Sequence, residues 1–173
     1  MKNKFRESID IYKVTKPFSD DNINTLRRCY ELYENTERTE FKEQDYNIRK
    51  AWKQHAPTSD GVYMNMLSIL NEHTGAVCDK HYFLNYVEGS WTKMHSDDDA
   101  VSFTGVTIIE QSEDLLGGDT LVLEDRESGR FHKINVDIGE TVWYDHDILH
   151  AVTNVERGNR KVLVTWMKAQ NDS

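Results

Sequence analysis

The stretch 91-WTKMHSDDDAVSFTG-105 sets a histidine two positions before an aspartate, His95-Ser-Asp97, then adds two more carboxylates, Asp98 and Asp99. On an extended segment alternate residues point to one side, so His95 and Asp97 can aim an imidazole nitrogen and a carboxylate oxygen at the same place. That donor pair suits Fe(II), Mn(II) or Zn(II) better than a soft, thiolate-preferring metal. By itself it says little. A chain with 7 histidines and 30 acidic residues produces an H-x-D by chance, and a solvated polar turn is the simpler account in isolation.

A second part lies in 139-GETVWYDHDILHAVTNVERGNRKVLVTWMK-168. His150 opens an apolar alternation, AVTNV. After a glycine-containing turn, Arg160 begins KVLVTW. The ten-residue separation predicts a tight hairpin with His150 and Arg160 on neighbouring strands. A guanidinium near a metal can grip a carboxylate on a ligand that also reaches the metal. Its commonest fate is a surface ion pair, worth little.

Taken in order, His95-x-Asp97, then Gly117-Gly118-Asp119-Thr120, then His150-x-Val152-x-x-Val155-x-x-Gly158-x-Arg160, closing on Trp166, resemble the 2-oxoglutarate- and Fe(II)-dependent dioxygenases. Within them the prolyl-hydroxylase-like branch is the closest look, over about half of the chain, from Tyr82 to Lys168. The resemblance implies that His95, Asp97 and His150 form a two-histidine, one-carboxylate facial triad with open positions on iron. It implies that 2-oxoglutarate and O2 take those positions, with ascorbate as reductant. It also implies that Arg160 holds the far carboxylate of 2-oxoglutarate. The products are then succinate, CO2 and a hydroxylated C–H bond, with a prolyl residue in a peptide or protein as first-choice substrate. A free amino acid or other small metabolite is the alternative substrate. A non-catalytic cupin-like barrel that keeps metal or 2-oxoglutarate for sensing is the reading from a different class.

Several further residues are weighed against that pattern. His146 lies four before His150 but lacks the V-x-x-V-x-x-G-x-R tail, so 145–147 reads as the turn feeding the strand. Tyr86, nine before His95, stands on a strand where related enzymes carry a tyrosine that bonds 2-oxoglutarate; aromatic packing inside the barrel fits it equally. Thr107 sits near where many prolyl hydroxylases carry a co-substrate-binding tyrosine, and this departure leaves the second contact to the far carboxylate open. Asp98 and Asp99 read as the solvated start of a loop, or as negative charge that helps retain a cation or orients one of its ligands. His55, His73, His81 and His132 have no ligand-like partners, and His73 reads as a core histidine. Trp91 suits either the substrate mouth or the core. The polar tract 36–60 suits a substrate-covering loop, although mixed charge is usually plain surface. There is no G-x-S-x-G nucleophile motif, and Gly117-Gly118 lacks the G-K-[ST] of a phosphate loop.

The elements that must position these residues fall into two halves. Alternation over 9–15 predicts a strand. Ser19 predicts a helix cap, with Ile23, Leu26, Tyr30 and Tyr33 along one face to about residue 35. A second helix fits 61–75, with Val62, Met66, Ile69, Leu70 and His73 on one face and Gly75 as its stop. From residue 80 the period becomes two, predicting strands at 81–88, 101–110, 119–125, 131–138, 141–145, 150–155 and 161–168 between glycine-containing turns. The expected fold is therefore mainly β (α+β): a double-stranded β-helix, or cupin-like jelly roll, with N-terminal supporting helices. The expected organisation is one domain over 1–173, with the strand and helices in 1–79 and the site-bearing core in 80–168.

The totals narrow the partners. A formal net charge of −9 over 173 residues argues against a phosphate-backbone binder. No apolar run approaches membrane-spanning length, and two cysteines without metal-type spacing read as reduced thiols in a cytoplasmic protein. Oligomeric state is not legible.

Overall fold

The computed structural model describes residues 2–36, 41–43, 46–48, 61–97 and 100–169. The chain opens with a one-turn helix α1 (Lys4–Glu7), capped where Asn3 Oδ1 accepts from Arg6 N at 2.8 Å, and a short strand β1 (Lys13–Thr15). Helix α2 (Asp20–Thr36) starts where Ser19 Oγ accepts from Asn22 N, the predicted cap. Strands β2 (Phe41–Glu43) and β3 (Tyr46–Ile48) precede helix α3 (Gly61–Thr74). The β-rich half follows: β4 (Val77–Tyr86), β5 (Trp91–His95), β6 (Phe103–Gln111), β7 (Leu116–Gly117), β8 (Thr120–Leu123), β9 (Phe131–Ile134), β10 (Thr141–Asp145), β11 (His150–Val152), β12 (Val155–Arg157) and β13 (Arg160–Lys168).

Two antiparallel sheets carry the fold. One has five strands in the order β1-β10-β6-β13-β4; the other has six, β2-β3-β5-β11-β8-β9. A two-stranded ribbon pairs β12 with β7. Period-two alternation divides the work of the five-stranded sheet. Its outward residues Phe83, Phe103, Ile109, Trp143, Leu163 and Met167 pack under α2 and α3. Its inward residues, including Tyr82, Leu84, Tyr86, Val162 and Val164, face the space between the sheets. The helices are thus a buttress behind the sheet that floors the cavity, as expected for a jelly roll. Trp143 lies so close over Gly105 that a Cβ there would penetrate its ring, which makes glycine the only residue this strand position accommodates.

Three local expectations are corrected. Helix α3 buries Tyr63, Leu67, Leu70 and Thr74, so its inner face is turned from the predicted one and Val62 is exposed. Tyr63 wins that face because its ring fits among Tyr33, His81 and Phe83. His73 consequently sits at the surface, its Nε2 2.9 Å from Thr15 Oγ1. The segment 150–155 is two strands, because Val152 ends pairing with β8 and Val155 begins pairing with Gly117. That break carries the chain from one sheet to the other, so β11 and β13 are not hairpin neighbours. His150 and Arg160 face each other from opposite sheets instead.

Candidate metal centre

His95 and His150 are distant in sequence but directly paired across β5 and β11. Their ring centroids lie 4.3 Å apart. Asp97 follows just beyond β5, its backbone N–H donating to His146 O at 2.9 Å, which turns the carboxylate back toward both rings. Asp97 Oδ1 is 3.4 Å from His150 Nε2 and 4.0 Å from His95 Nε2. One ligand atom from each of the three residues falls within 4.8 Å of the others.

The hydrogen bonds behind this cluster decide what it can hold. His95 Nδ1 meets Lys93 O at 2.6 Å and His150 Nδ1 meets Ile148 O at 3.0 Å. A carbonyl oxygen only accepts, so Nδ1 carries the ring proton in both histidines. A neutral imidazole in that tautomer presents its Nε2 lone pair to Asp97. Burial, reinforced by the neighbouring His150, lowers the pKa of His95 and favours that neutral form. For Asp97 burial acts the other way, but a proton on His150 Nε2 would bond and charge-pair with the carboxylate, Thr104 donates a further bond, and together these hold the carboxyl below the usual range. Three potential electron-pair donors therefore converge, an arrangement that needs a cation among them, either a proton shared by His150 Nε2 and Asp97 or a metal ion that takes its place. Two imidazole nitrogens and one carboxylate oxygen fit a non-haem Fe(II) or a related divalent ion.

This cluster lies on the wall of a cavity of about 500 Å³ between the two sheets. Arg160 lines it from the five-stranded sheet, 7% exposed, with its Nε lacking a hydrogen-bond partner among the described residues. Burial pulls its pKa down from the ordinary guanidinium value, with Tyr86 and Asp119 opposing, and it remains a cation at neutral pH. A buried cation with unspent donors is costly unless an anion completes it. Tyr86 stands beside it, paired in register on β4; burial pushes its phenol up to about 12, so it is a neutral donor. The arrangement can thus hold a small molecule with one end on a metal and an anionic end on Arg160.

No family model matches the chain, and no curated protein sequence does. Solved structures match over nearly all of it. A prolyl-4-hydroxylase from Pseudomonas putida superimposes with a TM-score of 0.74 at 15% identity, covering 95% of this chain and 95% of that one. A prolyl hydroxylase from Trichoplax adhaerens, in complex with a hypoxia-inducible-factor oxygen degradation domain peptide, gives 0.63 at 14%, covering 91% and 84%. HygX from Streptomyces hygroscopicus, with nickel and 2-oxoglutarate bound, gives 0.68 at 9%, covering 95% and 85%. The fold is that of the 2-oxoglutarate/Fe(II) oxygenases.

On this oxygenase fold the five residues singled out from sequence, His95, Asp97, His150, Arg160 and Tyr86, all line one cavity. His146 does not. Its Nδ1 faces Asp145 Oδ1 at 2.9 Å and Ser102 O at 3.3 Å, in the turn between β10 and β11. Thr107 is also elsewhere, bonded to Thr141 Oγ1 at 2.7 Å within the buried sheet. Trp91 is half-buried and is not among the cavity residues. His81 pairs with the Tyr63 hydroxyl, and His132 with Glu124. Asp98, Asp99, His55 and most of the tract 36–60 lie outside the described residues.

Among the cavity residues that escaped the sequence reading, three carry hydroxyls close to the site. Tyr82 and Tyr144 line the chamber, and the same alternation that aims Tyr86 inward also aims Tyr82, two pairs of residues earlier on β4. Thr104 gave no signal at all, yet its Oγ1 donates to Asp97 Oδ2 at 2.6 Å.

Proposed function

We propose that this protein is a non-haem Fe(II)- and 2-oxoglutarate-dependent oxygenase that hydroxylates a C–H bond, with a prolyl residue in a peptide or protein as its substrate. The observation that carries the reading is the opposition of two half-sites across one cavity: three converging lone pairs on one sheet and a buried, incompletely bonded guanidinium on the other. His95, Asp97 and His150 would hold the iron, and Arg160 the far carboxylate of 2-oxoglutarate. Iron bound there supplies the redox chemistry that couples decarboxylation of 2-oxoglutarate to oxygenation of the substrate.

The chain's own residues do the rest. The carbonyls of Lys93 and Ile148 keep both imidazoles in the metal-binding tautomer. The chamber tyrosines, buried Tyr86 and Tyr144 and partly buried Tyr82, stay protonated, so they add no charge to compete with the co-substrate anion. His95 is the most open of the three metal-facing groups, with its side chain 47% exposed, and it marks the side from which substrate approaches. Support for a peptide comes from the peptide held by the Trichoplax enzyme of the same fold. The intact donor set and the free guanidinium speak against a non-catalytic barrel.

The test is turnover of 2-oxoglutarate to succinate by the Fe(II)-loaded protein without substrate, followed by a screen of proline-containing peptides and of metabolites for a gain of one oxygen. No succinate under any condition would remove the enzymatic reading. A mass gain confined to metabolites would move the substrate to the small-molecule class.

A further inference from the structure

The threonines of β6 are used in different ways. Thr107 points into the sheet's other face and pairs with Thr141. Thr104 faces the cavity, 1% exposed, at the level of Tyr144 on β10 and Trp166 on β13. It is the one β6 side chain among the described residues whose hydroxyl reaches the metal-facing carboxylate. Its Oγ1 donates to Asp97 Oδ2 at 2.6 Å, the short distance of a charge-assisted bond.

The two oxygens of Asp97 are therefore unequal. Oδ2 is spent on Thr104, while Oδ1 faces the two imidazoles. We infer that Thr104 is a positioning residue that restricts Asp97 to one ligand oxygen, so that the remaining positions on the metal stay free for the co-substrate. This inference rests on the metal-site reading above and concerns a residue that its motifs do not include. The reason is competition. A carboxylate can close on a cation with one oxygen or with two, and an unrestrained Asp97 would be free to take an extra position. A chelating keto acid needs adjacent open positions, so a second Asp97 oxygen would displace one of its contacts.

The alternative is that the hydroxyl merely satisfies a buried carboxylate. Both accounts expect some loss of stability when the hydroxyl is removed, since an unpaired buried acceptor is costly. They differ in what happens at the metal. Bound Mn(II) relaxes water protons in proportion to the number of waters it carries, and this number falls when a carboxylate closes on it.

The experiment uses Mn(II)-loaded full-length protein, wild type against Thr104→Val, Thr104→Ala and Thr104→Ser. Water-proton relaxation per bound Mn(II) and 2-oxoglutarate affinity are measured on each. Thr104→Val keeps the shape without the donor, and Thr104→Ala covers the case in which the valine variant fails to fold. The expected result is that the hydroxyl-free variants relax water less per Mn(II) and bind 2-oxoglutarate at least tenfold more weakly, the usual scale for an outer-shell partner. Thr104→Ser should behave as wild type. Wild-type relaxation and wild-type 2-oxoglutarate affinity in a folded hydroxyl-free variant would overturn the inference while leaving the metal site standing. Failure of the wild type to bind Mn(II) at all would instead overturn the metal-site reading, and the inference with it.

Discussion

Arg160 and Tyr86 occupy paired positions on β13 and β4, and both line the chamber that His150 enters from the opposite sheet. Facing sheets stand about 10 Å apart. A ligand that touches both walls must therefore be small and bifunctional, and only its anionic end can complete a guanidinium whose Nε is unbonded. Arg160→Ala should leave Mn(II) affinity nearly intact and weaken 2-oxoglutarate binding by roughly thirtyfold or more, because truncating one partner of a buried charge pair costs about 2–5 kcal/mol. Arg160→Lys should restore part of this, since the charge survives and the fork does not. Titration of 2-oxoglutarate into each Mn(II)-loaded protein checks it. Wild-type affinity in Arg160→Ala would send the search for the anchor to Tyr86.

The two histidines of 144-YDHDILH-150 should separate cleanly. His150 aims Nε2 at Asp97, whereas the ring of His146 is engaged with Asp145 and Ser102 O, and it serves the site through its backbone carbonyl. A side-chain substitution leaves that carbonyl in place. His150→Ala and His95→Ala should abolish tight Fe(II) binding in an anaerobic titration, and His146→Ala should keep most of it. Iron binding that survives in His150→Ala and vanishes in His146→Ala would reverse the assignment.

Much of this site was legible in the sequence because its parts are local. Alternation aims His95 with Asp97, and the spacing from His150 to Arg160 spans one crossing between sheets. What was not legible depends on which strands become neighbours. The hairpin expected between His150 and Arg160 fails because Val155 pairs with Gly117 of the Gly-Gly turn, a partner that local spacing does not reveal. The same limit hid Thr104, whose hydroxyl meets Asp97 only once β6 has docked beside β10 and β13. Helix α3 is rotated from the face its spacing predicts, because Tyr63, 1% exposed, takes a core position that its hydroxyl does not advertise.

Gly105→Ala tests how tightly the floor of the cavity is packed. A Cβ at Gly105 would lie 2.7 Å from Trp143 Cε3 and 2.9 Å from its Cη2, closer than carbon atoms tolerate. Trp143 has nowhere to go, being fully buried and tied through Nε1 to Thr15 Oγ1 at 2.8 Å. Overpacking of this kind costs about 1–3 kcal/mol. Urea denaturation should show a lower midpoint with an unchanged slope. Wild-type stability would mean that the sheet gives way at this point more readily than its packing suggests.

The last prediction concerns the brace behind the turn that carries His150. Arg6, on the first helix, forks onto Asp145, with Nε 2.9 Å from Oδ2 and a terminal nitrogen 3.1 Å from Oδ1. Burial alone would raise the Asp145 carboxyl, but the bonds and charge of Arg6, followed by those of His146, hold it below the usual range. A carboxylate depressed on folding stabilises the protein above its unfolded pKa, about 3.9, and loses that contribution as pH falls through the lower folded value. Both partners are about three-quarters buried, so the brace should contribute about 1–2 kcal/mol near neutrality. Arg6→Ala should therefore be less stable than wild type by that amount from about pH 5 to 7, and the gap should narrow as pH falls below 4. Denaturation curves across that range, with Asp145→Asn completing the double-mutant cycle, make the comparison. A gap that held constant into strong acid would show that Arg6 acts through packing and not through its charge on Asp145.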